Sequence, residues 1–415
     1  MSKKYRFTPS NTGVLHIGSL RTALTSYILS KQDKGSFILR MEDTDKTRST
    51  DEYSKNILDS LQWAGIKHNG KILSQDLNYT SGVYESIIKN LVDSGTAYYC
   101  TCSMATLKAM KSQQIRSKSR IGYNGHCRDA GHKSGVLRLN IAKIRTLLDD
   151  EDEYGGKRFI KFKDGVYGSR NTDLRDLNDA VLARSTGMPT YLLANTADDL
   201  ISNVSNIVRG CDLLPQTVIQ MVLRKSIAMT SGHSIDIPAY THLPLVLGEK
   251  GEKLSKRNPS TTSILQYKEK GIMPDALNQF ILAIGNNSIP RDKALSLTRL
   301  TSTYDVSKNA TSNVKYSEHL LYFINKLHIR KTTNKTLNKL LSTSFANNVL
   351  NTSKIRVNNL VDLKEECIQI TDILSNYTKE LKALKDTSAA SCKEFREKYL
   401  KNIKGISVVE LKGLV

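Results

Sequence analysis

Two separated groups of residues carry types and spacings suited to phosphate chemistry. The first is Arg6-Phe7-Thr8-Pro9-Ser10-Asn11-Thr12-Gly13-Val14-Leu15-His16-Ile17-Gly18-Ser19, and the second is Lys253-Leu254-Ser255-Lys256-Arg257. His16 supplies a ring nitrogen at the mouth of a loop, and Gly18 lets a nucleotide approach the backbone closely. Lys253 and Lys256 sit on a glycine-flanked loop and can follow phosphates as charge moves during reaction. The spacing Gly-x4-Gly-Lys-Ser/Thr does not occur, so no Walker-type phosphate loop is implied. A third group, Cys100-x-Cys102 with Cys127, offers thiols to a metal such as zinc, which takes four ligands in a tetrahedron.

These residues need a scaffold that presents loops at one edge. Tyr5 to Phe7 reads as a short strand, followed by a turn-rich loop and a helix from near Ile17. Ile17, Leu20, Leu24 and Tyr27 fall at helical spacing and would seat that helix on a sheet. A strand turning through small residues into a helix start leaves backbone N–H groups open to an anion. Ser36 to Arg40 is a compact apolar strand. Tyr53, Ile57, Leu61 and Ala64 mark a helix stopping at Gly65, and Ile87, Ile88, Leu91 and Val92 mark another ending near Gly95. Alternating strands and helices predict a parallel sheet that binds ligands beyond its strand ends.

Residues 99 to about 180 break this rhythm with the cysteines, a basic helix-like stretch (Lys108, Lys111, Arg116, Lys118, Arg120) and short strands at 136–139 and 158–162. They read as an insertion between the halves of the sheet. The sheet resumes from 181, with a helix expected from Pro215 and a buried strand over Leu243 to Leu247 that feeds the lysine loop. Helices follow at 261–267 and 274–284, and from about 300 the pattern is nearly all helical.

A length of 415 residues allows two to four domains. The formal charge of +21 fits a polyanionic partner, although a basic helix face alone is often only solvated surface. No run of 18 apolar residues occurs and the start has no apolar signal core, so a soluble, cytoplasmic protein without membrane contact is expected. The six cysteines do not form a disulfide framework.

His16-Ile17-Gly18-Ser19 and Lys253-Leu254-Ser255-Lys256-Arg257 resemble the HIGH and KMSKS signatures of class I aminoacyl-tRNA synthetases. With Arg6 to Ser10 before and Arg40-Met41-Glu42-Asp43-Thr44-Asp45 after, the chain resembles glutamyl-tRNA synthetases of the bacterial type. Asn11 departs from the family's usual proline. The resemblance implies an α/β fold: a Rossmann-like catalytic domain (1–98 and 181–257), an inserted acceptor-binding α+β domain (99–180), a helical connective region (258–299) and a short helical anticodon-binding domain (300–415). It implies a monomer that uses L-glutamate, tRNA and ATP, with Mg²⁺ carried by the nucleotide.

By the same resemblance, His16, Lys253 and Lys256 are catalytic. Ser10, Gly18, Asp212 and Val246 join them around ATP. Arg6, Thr8, Ser10, Glu42, Tyr191, Asn195 and Arg209 form the glutamate pocket, with Glu42 taking the ammonium and Arg209 the side-chain carboxylate. Arg209 also argues against a glutaminyl enzyme, because a neutral amide would leave it unpaired. Cys100, Cys102, Tyr123 and Cys127 match a zinc site of the related glutamyl-queuosine enzymes. Many glutamyl enzymes carry a histidine where this chain has Asp129, so His126 and His132 remain alternatives to Tyr123, and a metal-free thiol cluster remains another. Ser74-Gln75-Asp76 departs from a family motif and receives no role. The alternatives in function are a glutamyl-queuosine tRNA(Asp) synthetase and an inactive RNA-binding paralogue.

Overall fold

The computed structural model describes residues 2–44, 48–148, 159–234, 236–248, 251–252 and 263–383. Its strands are β1 (Lys4–Phe7), β2 (Ser36–Met41), β3 (Leu73–Ser74), β4 (Ala97–Cys100), β5 (Val136–Leu139), β6 (Phe159–Asp164), β7 (Gly168–Asp173), β8 (Val181–Ala183), β9 (Asn206–Gly210), β10 (Ala239–Leu243), β11 (Val246–Leu247) and β12 (Val314–Lys315). Helices α1 (Ile17–Gln32), α2 (Asp51–Trp63), α3 (Gln75–Thr80) and α4 (Val83–Asp93) belong to the first half of the sheet. Helices α5 (Met104–Arg116) and α6 (Ile141–Leu148) lie in the interrupting segment, and α7 (Tyr191–Ile201) and α8 (Thr217–Ser231) in the second half. Then come α9 (Ile264–Glu269), α10 (Pro274–Ala283), α11 (Leu297–Thr303), α12 (Glu318–Lys331), α13 (Asn334–Leu341), α14 (Asn347–Ser353) and α15 (Leu360–Ala383).

The main sheet has seven strands in the order β3-β2-β1-β9-β10-β6-β7. All its pairings are parallel except the β6–β7 hairpin. From β1 the chain crosses to β2 on one side, whereas β9 leads to β10 on the other. The order therefore reverses between β1 and β9, and a crevice opens there beyond the strand ends. Apolar side chains cover both faces. One core runs from Ile17, Leu20 and Leu24 of α1 through Phe280 of α10 to Leu363 of α15, so the C-terminal helices share a core with the sheet. The other lies under α4, α7 and α8, with Leu91, Leu193 and Leu223 at its centre. The fold is α/β with a Rossmann-like parallel core, as the motifs imply.

Three local readings need correction. Leu243 to Leu247 is not one strand: Pro244, which has no N–H for a ladder, separates β10 from β11, and β11 turns away to pair with β12 through Val246 and Val314. The helix expected from Pro215 begins at Thr217, after a tight 3₁₀ turn over Cys211–Gln216. The third concerns the hairpin β6–β7 from the interrupting segment. It extends the main sheet through Tyr240 opposite Asp164, while β4, β5 and β8 form a separate antiparallel sheet. Asp45, Lys253 and Lys256 lie outside the described residues.

Candidate active site

The crevice at the strand reversal holds a cavity of about 390 Å³ lined by Arg6, Thr8, Ser10, Glu42, Tyr191, Arg209 and Asp212, with Ser19 on its wall. Each comes from an element end. Arg6 is the penultimate residue of β1, Glu42 directly follows β2, and Arg209 and Asp212 flank the end of β9. Close approach fixes Gly210, since a Cβ there would sit 2.6 Å from Asp212 Oδ1. Tyr191 starts α7 and Asn195 stands one turn later on the same side. Asn195 is buried behind the cavity, where its amide donates to Glu42 Oε1 at 2.6 Å. Burial pushes the Glu42 carboxyl above its ordinary range, against the pull of Arg40 and the Asn195 bond. An arriving ammonium would return that carboxylate to a paired state.

His16 is the cap residue of α1. Its Nδ1 accepts from the Gly18 N–H at 3.1 Å, and its Nε2 lies 3.1 Å from Ser19 Oγ. The ring thus reaches the cavity wall through Ser19. Val246 is buried in the core beside β12 rather than on the cavity wall.

Behind the cavity lies a charge network that inspection of the sequence missed. Arg6 pairs with Ile38 in register, and Arg40, two residues further along β2, faces the same side of the sheet. Helix α7 covers that side with Asp198 and Asp199, which continue the Tyr191–Asn195 stripe at helical spacing. Asp199 accepts from Arg6 Nη2 at 3.2 Å and from Arg40 Nη1 at 2.7 Å. Asp198 lies 3.5 Å from Arg40 Nε and accepts from Gln75, Asn78 and Tyr84. Gln75 belongs to the segment that received no role, yet it ties α3 into this network. The three-and-four spacing of polar residues along α7, in a helix whose other positions are apolar except Thr196, was the available signal.

Over residues 4–323 the chain matches the family model for the catalytic domain of class I tRNA synthetases (E and Q). It belongs to that family. This synthetase chain is 32% identical over 408 residues to the glutamate–tRNA ligase 1 of Helicobacter pylori (strain P12), covering 98% of itself and 82% of that relative. It is 32% identical over 357 residues to the glutamate–tRNA ligase of Finegoldia magna, covering 81% of itself and 70% of the relative. Among solved structures, the glutamate–tRNA synthetase from Elizabethkingia anophelis superposes with a TM-score of 0.73 at 20% identity, covering 99% of this chain and 92% of that one. That likeness supports the fold. Among the described residues no helix is long and apolar enough to cross a membrane.

The synthetase's thiol cluster stands apart from the cavity. The Cys100, Cys102 and Cys127 sulfurs all lie within 4.8 Å of one another, close to the ~3.8 Å that tetrahedral zinc thiolates require. Tyr123 is the further donor at hand, its hydroxyl 3.3 Å from Cys100 Sγ and 3.7 Å from Cys102 Sγ. His132 is engaged instead with Thr101 Oγ1 at 3.1 Å, and His126 stays exposed. Burial would raise the Cys127 thiol, but hydrogen bonds from Tyr123 and the Thr101 backbone bring it to about 6, where it can ionise readily. The cluster can accept a metal ion. Arg138 packs 3.8 Å over the Tyr123 ring and donates to the Asp179 carbonyl, which anchors the tyrosine to β5.

Proposed function

We propose that the chain is a glutamate–tRNA ligase. It activates L-glutamate with ATP to glutamyl-adenylate and passes the glutamyl group to the terminal adenosine of tRNA-Glu, tRNA-Gln or both. The observation that carries this reading is the presence of Glu42 and Arg209 on the walls of one small cavity. An acidic amino acid brings an ammonium for the first and a side-chain carboxylate for the second, and arginine's planar donors suit a carboxylate better than a lysine would. The names of the relatives agree with it.

In activation, an oxygen of the glutamate α-carboxylate attacks the α-phosphorus of ATP while the bond to pyrophosphate breaks. The protein supplies positioning and charge, not a nucleophile. Thr8, Ser10, Tyr191 and Asn195 complete the amino-acid pocket around Glu42 and Arg209. His16 and the start of α1, with Gly18 allowing close approach, hold phosphates from one side. Lys253 and Lys256 add positive charge to the same phosphates. Asp212 takes the ribose, while Val246, buried beside β12, can meet the adenine only through its backbone. Mg²⁺ arrives with ATP, held mainly by phosphate oxygens. Arg6 joins the amino-acid pocket at the cavity wall, held in place by Asp199 and the Val208 carbonyl.

The division of the chain follows the same reading. Residues 1–98 and 181–257 form the catalytic unit, 99–180 meets the acceptor end of tRNA, 258–299 connects, and the helices from 300 meet the anticodon arm. The hairpin β6–β7 is an exception within the insertion, because it completes the edge of the catalytic sheet.

Cys100, Cys102, Tyr123 and Cys127 hold a structural zinc in this reading. Purified protein is expected to carry stoichiometric zinc by elemental analysis. The Cys127→Ser variant should lose it, and Tyr123→Phe should release it to a chelator faster than wild type. Loss in Cys127→Ser with retention in Tyr123→Phe equal to wild type would remove the tyrosine from the ligand set.

The reading itself is tested by charging purified tRNA-Glu and tRNA-Gln with labelled glutamate and locating the label. Label on the terminal adenosine of either tRNA is the expected result. Label on the queuosine of another tRNA would turn the assignment to a glutamyl-queuosine synthetase. No label on any tRNA would leave an RNA-binding paralogue.

A further inference from the structure

Arg209 is oriented by more contacts than a simple positive charge would need. Its Nε donates to His242 Nε2 at 3.0 Å and its Nη1 donates to Gln220 Oε1. Its Nη2 donates to Thr217 Oγ1 at 2.9 Å and to the Leu213 carbonyl at 3.4 Å. Most of the five donors of a guanidinium are therefore directed into the protein. The rim that remains lines the cavity. Such a group meets a ligand carboxylate in one orientation, which matters because the strength of a charge-assisted hydrogen bond depends on direction.

The contact with His242 is the one that depends on a proton. Arg209 and His242 are register partners across β9 and β10, so their side chains stand next to each other on one face of the sheet. For Nε2 to accept from arginine, the imidazole must be neutral with its proton on Nδ1. Asp164 enforces that tautomer, because its Oδ2 lies 2.6 Å from Nδ1. The carboxylate is itself fixed by the N–H groups of Val166 and Tyr167, each at 2.9 Å, and by that of His242 at 3.2 Å. Both side chains of this pair are fully buried, at 0% exposure each. An imidazole with its proton on Nε2 would instead set an N–H against the arginine N–H. Asp164, at the end of β6, thus speaks to the cavity only through His242.

We propose that His242 is a positioning residue for substrate selection: Asp164 fixes it as the Nδ1–H tautomer, and its Nε2 aims Arg209 at the side-chain carboxylate of the amino acid. The inference rests on the reading of the cavity as a glutamate site. Neither residue touches substrate. Their effect is a preference for an acid over its amide, exerted through the orientation of Arg209.

Three variants test it in tRNA-dependent pyrophosphate exchange. His242→Phe keeps a planar ring and removes the acceptor. Asp164→Asn can still cap the turn through its carbonyl, but its amide can donate to Nδ1 and drive the imidazole proton to Nε2. Both are expected to raise the KM for glutamate by roughly ten- to a hundredfold, the worth of a hydrogen bond to a charged group. The kcat/KM ratio of glutamate over glutamine should fall by a similar factor while the KM for ATP is unchanged. His242→Gln places a carbonyl oxygen near the position of Nε2 and is expected to restore most of the wild-type KM. Losses shared equally by glutamate and ATP, or no rescue by glutamine at position 242, would show that His242 only fills the core and would overturn the inference. A wild-type chain that activates no glutamate would instead defeat the reading of the cavity. Active variants with unaltered glutamate KM would defeat only the role of His242 and Asp164.

Discussion

Replacing Asp199 by asparagine is expected to destabilise the protein by about 3–5 kcal/mol, the usual cost of breaking a buried ion pair from one side. Asp199 is 2% exposed and accepts from two arginines that are themselves almost wholly buried, Arg6 at 2% and Arg40 at 0%. Asparagine keeps the volume but removes the charge, and its amide end donates where both partners also donate. Arg6 retains the Val208 carbonyl and Arg40 retains Asp198, so the loss is large without being total. Burial alone would raise the Asp199 carboxyl, but Arg6 and Arg40 hold it below the usual carboxylate range. A group lowered in this way adds stability above its unfolded pKa, about 3.9 for aspartate, and loses it as pH falls through the folded value. The stability gap between wild type and Asp199→Asn should therefore be full at neutral pH and narrow below about pH 4. Urea unfolding at a series of pH values reads both quantities. An unchanged midpoint at neutral pH would mean that the arginines find other partners.

The same network explains what the sequence could and could not disclose. Arg6, Glu42, Tyr191, Arg209 and Asp212 were legible because each lies at a strand or helix end inside a short motif, and the fold only has to bring those ends to one crevice. Asp198 and Asp199 stand in the same helix as two recognised pocket positions, yet their partners Arg6 and Arg40 are more than 150 residues away in sequence. Their pairing depends on strand register, which has no local signature. His242 was hidden for a related reason, since its meaning comes from Arg209 beside it on the next strand and Asp164 on the strand beyond. The hairpin β6–β7 reads as part of an insertion, and only a parallel pairing between residues 164 and 240 shows that it closes the edge of the main sheet. Helices such as α1, α2 and α4 are legible because a helix is specified by neighbours three and four residues apart. The misread strand over Leu243 to Leu247 contained its own warning in Pro244.

Replacing Arg209 by glutamine should cost glutamate activation more than any other single change in the described pocket. A buried guanidinium facing a desolvated carboxylate is worth several kcal/mol when one partner is removed, so kcat/KM for glutamate should fall by roughly 10²–10³ or more. Glutamine as substrate gains nothing from the wild-type arginine, and the acid-over-amide ratio should collapse by nearly the whole of that factor. Two controls separate this from general damage. The KM for ATP should stay near the wild-type value, because the phosphate-holding residues assigned here come from the start of α1 and the lysine loop. Arg209→Lys should recover only part of the loss: it restores a charge but not the fixed donors that meet His242, Gln220 and Thr217. Steady-state tRNA-dependent exchange with glutamate and glutamine provides all these numbers. If Arg209→Gln kept its preference for glutamate, the carboxylate partner would have to be another cation, and Arg6 freed from Asp199 would be the first to examine. If lysine restored full activity, charge alone would suffice and the directed hydrogen bonds behind Arg209 would lose their functional meaning.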